Sequence, residues 1–415
     1  MTDNRPTLLY ISPVLPLPAG NGLAMRAYNV LKALAEKYRV RLIAGSRYFR
    51  YPPEDVSGEL DRLCESITCI TFQITRDPGL LFRSLSHRLV QSLYYRVFHD
   101  PWDYFPLTGR IRKTLNGIDL LGQIDVIHVF RLYMFPLGRF YLQRNPSAFL
   151  QLDLDDLESD TRRRIGELFR LCGNAKTADR TLREAARFES IERAVLPECR
   201  RIFVCSEADR EKLCTKYDLA RVTVVPNTVQ LQACALPRYA STKCFTFLFV
   251  GSMAYYPNRD AVLFFCRQVW PLLRRLTTKT ISLVLVGGGA DREMARAAAQ
   301  AVGVELAGHV ADVEPFYDRA DAVVVPIRAG GGTRIKILEA FAHLRPVVST
   351  HIGMEGIDAH NGVHALLADG EQSFAVQCAR LVEDFVLGRS LAENALDLLR
   401  TRYRPDLIKE RLLDG

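Results

Sequence analysis

Short apolar runs recur along the chain, each closed by a turn former and followed by a stretch with apolar residues three and four apart. Residues 7–12 form the first run. A turn rich in proline and glycine, Pro16 to Gly22, leads into a predicted helix over 24–38 with apolar Ala27, Val30, Leu31 and Leu34 on one face. Further strands are predicted at 40–44, 126–130, 149–156, 202–205 and 222–225, and one or two long helices at 159–196. From residue 245 the alternation becomes regular. Strands at 245–250, 282–286, 304–306, 322–327, 346–349 and 365–367 are separated by helices at 258–276, 291–302, 313–319, 333–343 and 371–387. Nearly continuous apolar strands alternating with helices specify parallel sheets covered on both faces. The pattern divides the chain into residues 1–232 and 243–389, joined by a linker at about 230–243, with a helical segment at about 390–415.

Composition narrows the class. The 415 residues suit two α/β domains, and no run of 18 apolar residues predicts a membrane span. The N-terminus carries no signal-like apolar core, and ten cysteines without a Cys-x-x-Cys pair read as reduced thiols of a cytoplasmic protein rather than a zinc site. A formal charge of +8 favours anionic partners, yet no nucleic-acid-binding module occurs.

The densest candidate chemistry lies at Gly330-Gly331-Gly332-Thr333-Arg334-Ile335-Lys336, where a strand runs into a helix. Bare backbone at a helix start presents amides that lack helical partners, and the helix dipole is positive there; the combination suits a phosphate. Arg334 and Lys336 add cations, and Glu339 shares a helix face with Gly332 and Lys336, where it could take sugar hydroxyls. In the first half, His128 ends a predicted strand. Asp153, Asp155 and Asp156 close the next, at the strand ends where α/β folds bind ligands. A histidine at the end of a buried strand is, on the residues alone, usually a satisfied core residue. Asp153 is an acceptor contact or a loop anchor.

The string from Gly330 to Ala340, followed by Pro346-Val347-Val348, resembles the donor-binding signature of the retaining glycosyltransferases of family 4. That resemblance implies the GT-B fold, with two Rossmann-like domains facing each other across a cleft. It implies transfer of a sugar from a UDP-, GDP- or TDP-linked donor, with retention, without a metal or other cofactor, in glycan, glycolipid or natural-product biosynthesis. It places the donor against Gly22, Gly251, His309, Val310, Gly331, Gly332, Thr333, Arg334, Lys336 and Glu339. His128 then belongs beside the transferred sugar as the catalytic histidine, and the terminal helix packs back on the first domain. The acceptor would be a sugar, a lipid-linked sugar or a small molecule.

The chain also departs from the family pattern. The lysine expected shortly after Gly251 is missing, so Arg259 is either its replacement or a surface residue. The motif of two glutamates eight positions apart keeps Glu339, but its first position is Gly331. Two rivals follow: a nucleotide-sugar 2-epimerase, or an inactive nucleotide-sugar-binding subunit. An insertion at about 76–115, rich in aromatics and arginines, is either a helix pair packing the first domain or a surface for the acceptor or for the inner face of a membrane.

Overall fold

A computed structural model describes residues 4–46, 54–71, 104–118, 123–231 and 244–413. Most of the aromatic insertion, residues 76–103, and nearly all of the predicted linker therefore lie outside the described residues. The chain forms two compact units. One comprises Met1–Arg163, Asp179–Val225 and Ile408–Gly415; the other comprises Arg164–Ala178 and Pro226–Leu407.

The first unit holds β1 (Thr7–Ser12), β2 (Arg39–Ser46), β3 (Cys64–Thr71), β4 (Val126–Phe130), β5 (Phe149–Asp153), β6 (Arg201–Val204) and β7 (Val222–Val224), in the spatial order β3-β2-β1-β4-β5-β6-β7. All neighbours are parallel. Successive side chains of β1 point to opposite faces. Leu8 and Tyr10 pack with Ala27, Val30 and Leu31 of the first helix, while Leu9 and Ile11 join Ile127, Val129 and Leu150 in a second core. That helix, Gly22–Lys37, starts where the Asn21 side chain accepts from the Ala24 amide at 2.9 Å.

The second unit holds β8 (Cys244–Val250), β9 (Thr280–Val286), β10 (Val304–Gly308), β11 (Ala322–Val325), β12 (Val347–Ser349) and β13 (Leu366–Leu367), in the order β10-β9-β8-β11-β12-β13. These neighbours are also all parallel. In each sheet the winding reverses beside the first strand, between β1 and β4 and between β8 and β11. A crevice opens at such a point at the carboxyl ends of the strands.

Three local features differ from the pattern-based expectation. Strand β3 and the helix before it, Glu54–Leu63, were not anticipated; β3 is an edge strand whose Glu65, Ser66 and Thr68 hide its apolar alternation. The helix expected at 258–276 is interrupted by a π turn at Phe265–Val269, just before Pro271, which has no amide hydrogen to donate back. The terminal segment is two helices, Phe385–Arg402 and Asp406–Leu413, parted just before Pro405. Only the short one returns to the first unit, where Ile408 and Leu412 enter its core. The long helical stretch at 159–196 is a hairpin, Glu158–Leu171 and Ala175–Val195, whose tip, Arg164–Ala178, belongs to the second unit.

A buried ion pair fastens the first unit. Arg26, on the first helix, donates to Asp153 Oδ1 at 3.2 and 2.8 Å and to the Val225 carbonyl at 2.9 Å. The Arg26 and Asp153 side chains are 1% and 0% exposed. Removing one partner strands a buried charge, so Arg26→Met is expected to cost about 3–5 kcal/mol. Urea unfolding would show this as a lower midpoint at unchanged slope, and Arg26→Met/Asp153→Leu would recover most of the loss. A single variant as stable as the wild type would contradict this role for the pair.

Candidate functional site

Because all strands of the second sheet are parallel, their carboxyl ends share one edge, and the loops there are nearly bare backbone. The Gly251 amide donates to the Val286 carbonyl at 2.9 Å, Met253 to Gly288 at 2.8 Å, and Gly287 to Gly308 at 2.7 Å. His309, exposed, and Val310, half-buried, follow on from β10 at this edge.

The loop after β11 is the glycine run. Gly330 and Gly332 take φ of +117° and +69°, values that a residue with a Cβ resists. Thr350 Oγ1 donates to the Ile327 carbonyl and fixes the start of the loop. The helix begins at Ile335, later than its apolar pattern suggests, with Arg334 as its N-cap at ψ 93°. Arg334 turns back, and one guanidinium nitrogen donates to the carbonyls of both Gly331 and Gly332. Its other terminal nitrogen, Nη2, and the hydroxyl of buried Thr333 have no hydrogen-bond acceptor among the described residues. Two buried donors without acceptors, beside bare backbone, suit an anionic ligand.

Lys336 extends from the first turn of this helix to the end of β8. Its Nζ donates to Asn258 Oδ1 at 2.9 Å and lies 4.4 Å from the centre of the Phe249 ring. Gly251 makes this possible: a Cβ there would stand 2.6 Å from Lys336 Nζ and 2.8 Å from Asn258 Nδ2. Burial, with the Arg334 charge adding to it, pushes the Lys336 ammonium down to about 7. Glu339, one turn further along, accepts from Tyr317 at 2.9 Å, and burial raises its carboxyl above the usual range despite that bond and the Lys336 charge. Gly251, Gly331, Gly332, Thr333, Arg334, Lys336 and Glu339 thus sit on or beside one loop–helix junction.

Other anticipated residues fall elsewhere. Arg259 is held by Asp291 and Glu293, the former at 2.6 Å; its charge is matched by carboxylates, and Lys336 is the cation that reaches Gly251. Gly22 opens the first helix, half-buried. Asp153 and His128 both lie buried in the first unit. Asp153 is the buried partner of Arg26, with no exposed surface to meet an acceptor. Beside it, Arg131 holds Asp155 at 2.8 Å, Asp156 at 2.5 Å and Glu158, so these acids anchor the loop.

His128 lies mid-strand in β4 and is 0% exposed. Its Nδ1 is 2.9 Å from Gln151 Nε2, and its ring stacks on Tyr10 at 4.8 Å. It is a core residue of a strand that is covered on both faces. Asn258 and Tyr317, which position Lys336 and Glu339, were not anticipated. Asn258 is one of three consecutive polar residues, Asn258-Arg259-Asp260, near the start of its helix, and nothing local singled out either it or Tyr317. Among the described residues, no group of three or more His, Cys, Asp or Glu side chains is arranged to hold a metal ion.

Burial, with the Arg26 charge adding to it, pushes the His128 ring down to about 3. The unfolded chain binds a proton here near pH 6.5 that the folded chain refuses until about pH 3, so this ring lowers stability as pH falls through that window. In His128→Phe the difference in unfolding free energy from wild type should therefore shift in the variant's favour by up to about 1.4 kcal/mol per pH unit below 6.5. Urea midpoints measured from pH 7.5 to 4.5 test this, and a pH-independent difference would refute it.

Comparison with known proteins adds the remaining information. A family model described as "Glycosyl transferases group 1" matches residues 244–384, and one described as "Glycosyltransferase Family 4" matches residues 20–233. An uncharacterized 44.6 kDa protein in the cps region of Klebsiella pneumoniae is 24% identical over 163 residues, which span 38% of this chain and 42% of that protein. Among solved structures, sucrose-phosphate synthase from Thermosynechococcus elongatus superposes with a TM-score of 0.66 at 15% identity, covering 98% of this chain and 97% of that one. HepE of Anabaena, solved with UDP and glucose, gives 0.64 at 14% identity with 98% of both chains covered. A glycosyltransferase from Rickettsia africae gives 0.61 at 12%, covering 99% and 97%. These likenesses fix the fold as GT-B. With one family model covering more than half of its length and a second covering the glycine loop, the chain belongs to glycosyltransferase family 4.

Proposed function

We propose that this glycosyltransferase takes its sugar from a nucleoside diphosphate donor, holds the diphosphate at the Gly330–Lys336 junction, and transfers the sugar with retention to a saccharide, lipid-linked or small-molecule acceptor. One observation carries the reading. Two buried donors without acceptors among the described residues, Thr333 Oγ1 and Arg334 Nη2, lie beside glycine backbone at a helix start, with the Lys336 ammonium one turn away.

The chemistry follows from charge. As the bond from the anomeric carbon to the diphosphate oxygen breaks, negative charge grows on the leaving group and positive charge on the sugar ring. Lys336, Arg334 and the backbone amides of the loop stand where they would stabilise that diphosphate without a metal ion. Glu339, steadied by Tyr317, would accept from ribose hydroxyls. Retention is the outcome that family resemblance favours. In that route the acceptor oxygen bonds to the anomeric carbon on the face the diphosphate leaves, and the acceptor proton passes to the departing phosphate. The UDP bound in the HepE structure lends support to a nucleotide donor.

Incubation with UDP-, GDP- and TDP-linked hexoses tests the reading. Release of a nucleoside diphosphate, slow without acceptor, is expected; a C2 epimer would make the protein an epimerase, and binding without turnover a binding subunit. Lys336→Met should weaken binding of the matching nucleoside diphosphate by about 1.5–3 kcal/mol, roughly 10- to 100-fold. The ammonium titrates near 7 when free and is held protonated by bound phosphate, so wild-type affinity should fall as pH rises above 7. That slope should vanish in Lys336→Met; calorimetry at pH 6.5 to 9 decides, and an unchanged slope would remove Lys336 from the phosphate site. Glu339→Gln should raise the donor KM about tenfold, about 1.4 kcal/mol, with a smaller change in kcat. Steady-state kinetics showing the reverse split would argue against a ribose contact.

A further inference from the structure

Lys336 is held by a residue that carries no charge. Asn258 stands in the first turn of the helix Tyr256–Phe264, just after Pro257, and its side-chain amide is bonded at both ends. Nδ2 donates to the Ser252 carbonyl at 2.8 Å, and Oδ1 accepts from Lys336 Nζ at 2.9 Å. Only one orientation of the amide serves both neighbours, because an ammonium can only donate and a carbonyl can only accept. The backbone amide of Asn258 donates to the Tyr255 carbonyl at 3.0 Å, so the side chain starts from a fixed point. Its oxygen is thereby locked onto the ammonium beside the bare backbone of Gly251.

The charged groups near Lys336 leave this arrangement intact. On the helix Tyr256–Phe264 the next two residues are engaged elsewhere, Arg259 with Asp291 and Glu293, and Asp260 with Arg328. From β8 comes the Phe249 ring, which does not ionise. The charges that act on the ammonium are Arg334, on the loop, which disfavours it, and Glu339, on its own helix, which favours it. Tyr317, from the helix Glu314–Arg319, gives its hydroxyl proton to Glu339. A carboxylate at position 258 would hold the ammonium as an ion pair. An amide oxygen binds it less strongly, and the charged oxygen of a phosphate can displace the amide.

We infer that Asn258 is the positioning residue of the phosphate site, a neutral acceptor that keeps the Lys336 ammonium beside Gly251 and yields it to a phosphate oxygen when a nucleoside diphosphate binds. This inference rests on the proposed diphosphate site and adds to it the residue that keeps the cation available. When the product leaves, the exchange runs backwards and the amide oxygen takes the ammonium again.

Calorimetry with the full chain separates the two claims. The probes are UDP, GDP and TDP, titrated from pH 6 to 9, with Lys336→Met as the baseline that removes the phosphates' own ionisation. Relative to that baseline, wild-type affinity falls as pH rises through a midpoint near 7. Asn258→Asp gives the ammonium a charged partner, so the midpoint should rise by about one unit or more and affinity at pH 7 should fall about tenfold. Asn258→Ala takes the acceptor away, so the midpoint should move below that of wild type. Neither shift should survive in the Lys336→Met background. Melting temperatures show which variants are folded, and Asn258→Ser, too short to reach the ammonium, replaces Asn258→Ala if the latter does not fold. A midpoint that fails to rise in Asn258→Asp, or to fall in the shortened variant, overturns the inference. The diphosphate site would then stand, with Asn258 no more than a brace for the Ser252 turn. Lys336→Met binding every nucleoside diphosphate as tightly as wild type overturns the diphosphate site, and this inference with it.

Discussion

The close approach of Lys336 to the backbone of Gly251 governs the candidate site. An ammonium held by an amide oxygen and an aromatic face, with Glu339 one helical turn away, is a cation whose charge is incompletely matched by the protein. It fits there because Gly251 leaves room, and its hydrogen-bond partner is the neutral Asn258 rather than a carboxylate. Burying a charge so weakly compensated costs stability, and the lowered affinity of Lys336 for its proton records that cost. Such arrangements concentrate where a protein must meet opposite charge from outside itself.

The first unit uses its buried cations differently. Arg26 is matched to Asp153 and lies 3.7 Å from Asp155, which with Asp156 and Glu158 also holds Arg131, so these groups form one network at the strand ends of the first sheet. Arg131 and Asp155 adopt positive φ, at 74° and 58°, a cost the surrounding ion pairs sustain. There the charged groups hold loops in place. In the second unit the glycine loop is held by Thr350 and by the Arg334 guanidinium, while Lys336 bonds to Asn258 and not to the loop.

Much of this was legible in the sequence. Apart from β3, apolar runs spaced by amphipathic stretches predicted the parallel strands of both sheets, and Gly330 to Glu339 predicted a loop–helix junction with two cations and an acid. The misreadings have physical causes. In a parallel sheet every strand residue is buried on one face or the other, so position alone could not distinguish His128, stacked on Tyr10, from a residue at a strand end. Arg259 looked available because the acids that hold it, Asp291 and Glu293, lie more than thirty positions later. The roles of Asn258 and Tyr317 depend on contacts between elements distant in the chain, which periodicity does not encode.

The central claim is that a nucleoside diphosphate rests on the Gly330–Lys336 junction. A crystal structure of the chain with the nucleoside diphosphate that binds it best tests this directly. The account predicts phosphate oxygens within hydrogen-bonding distance of Lys336 Nζ and of backbone amides between Gly330 and Arg334, with the ribose at Glu339. Phosphates bound elsewhere on the chain, with Lys336 still bonded only to Asn258, would contradict it.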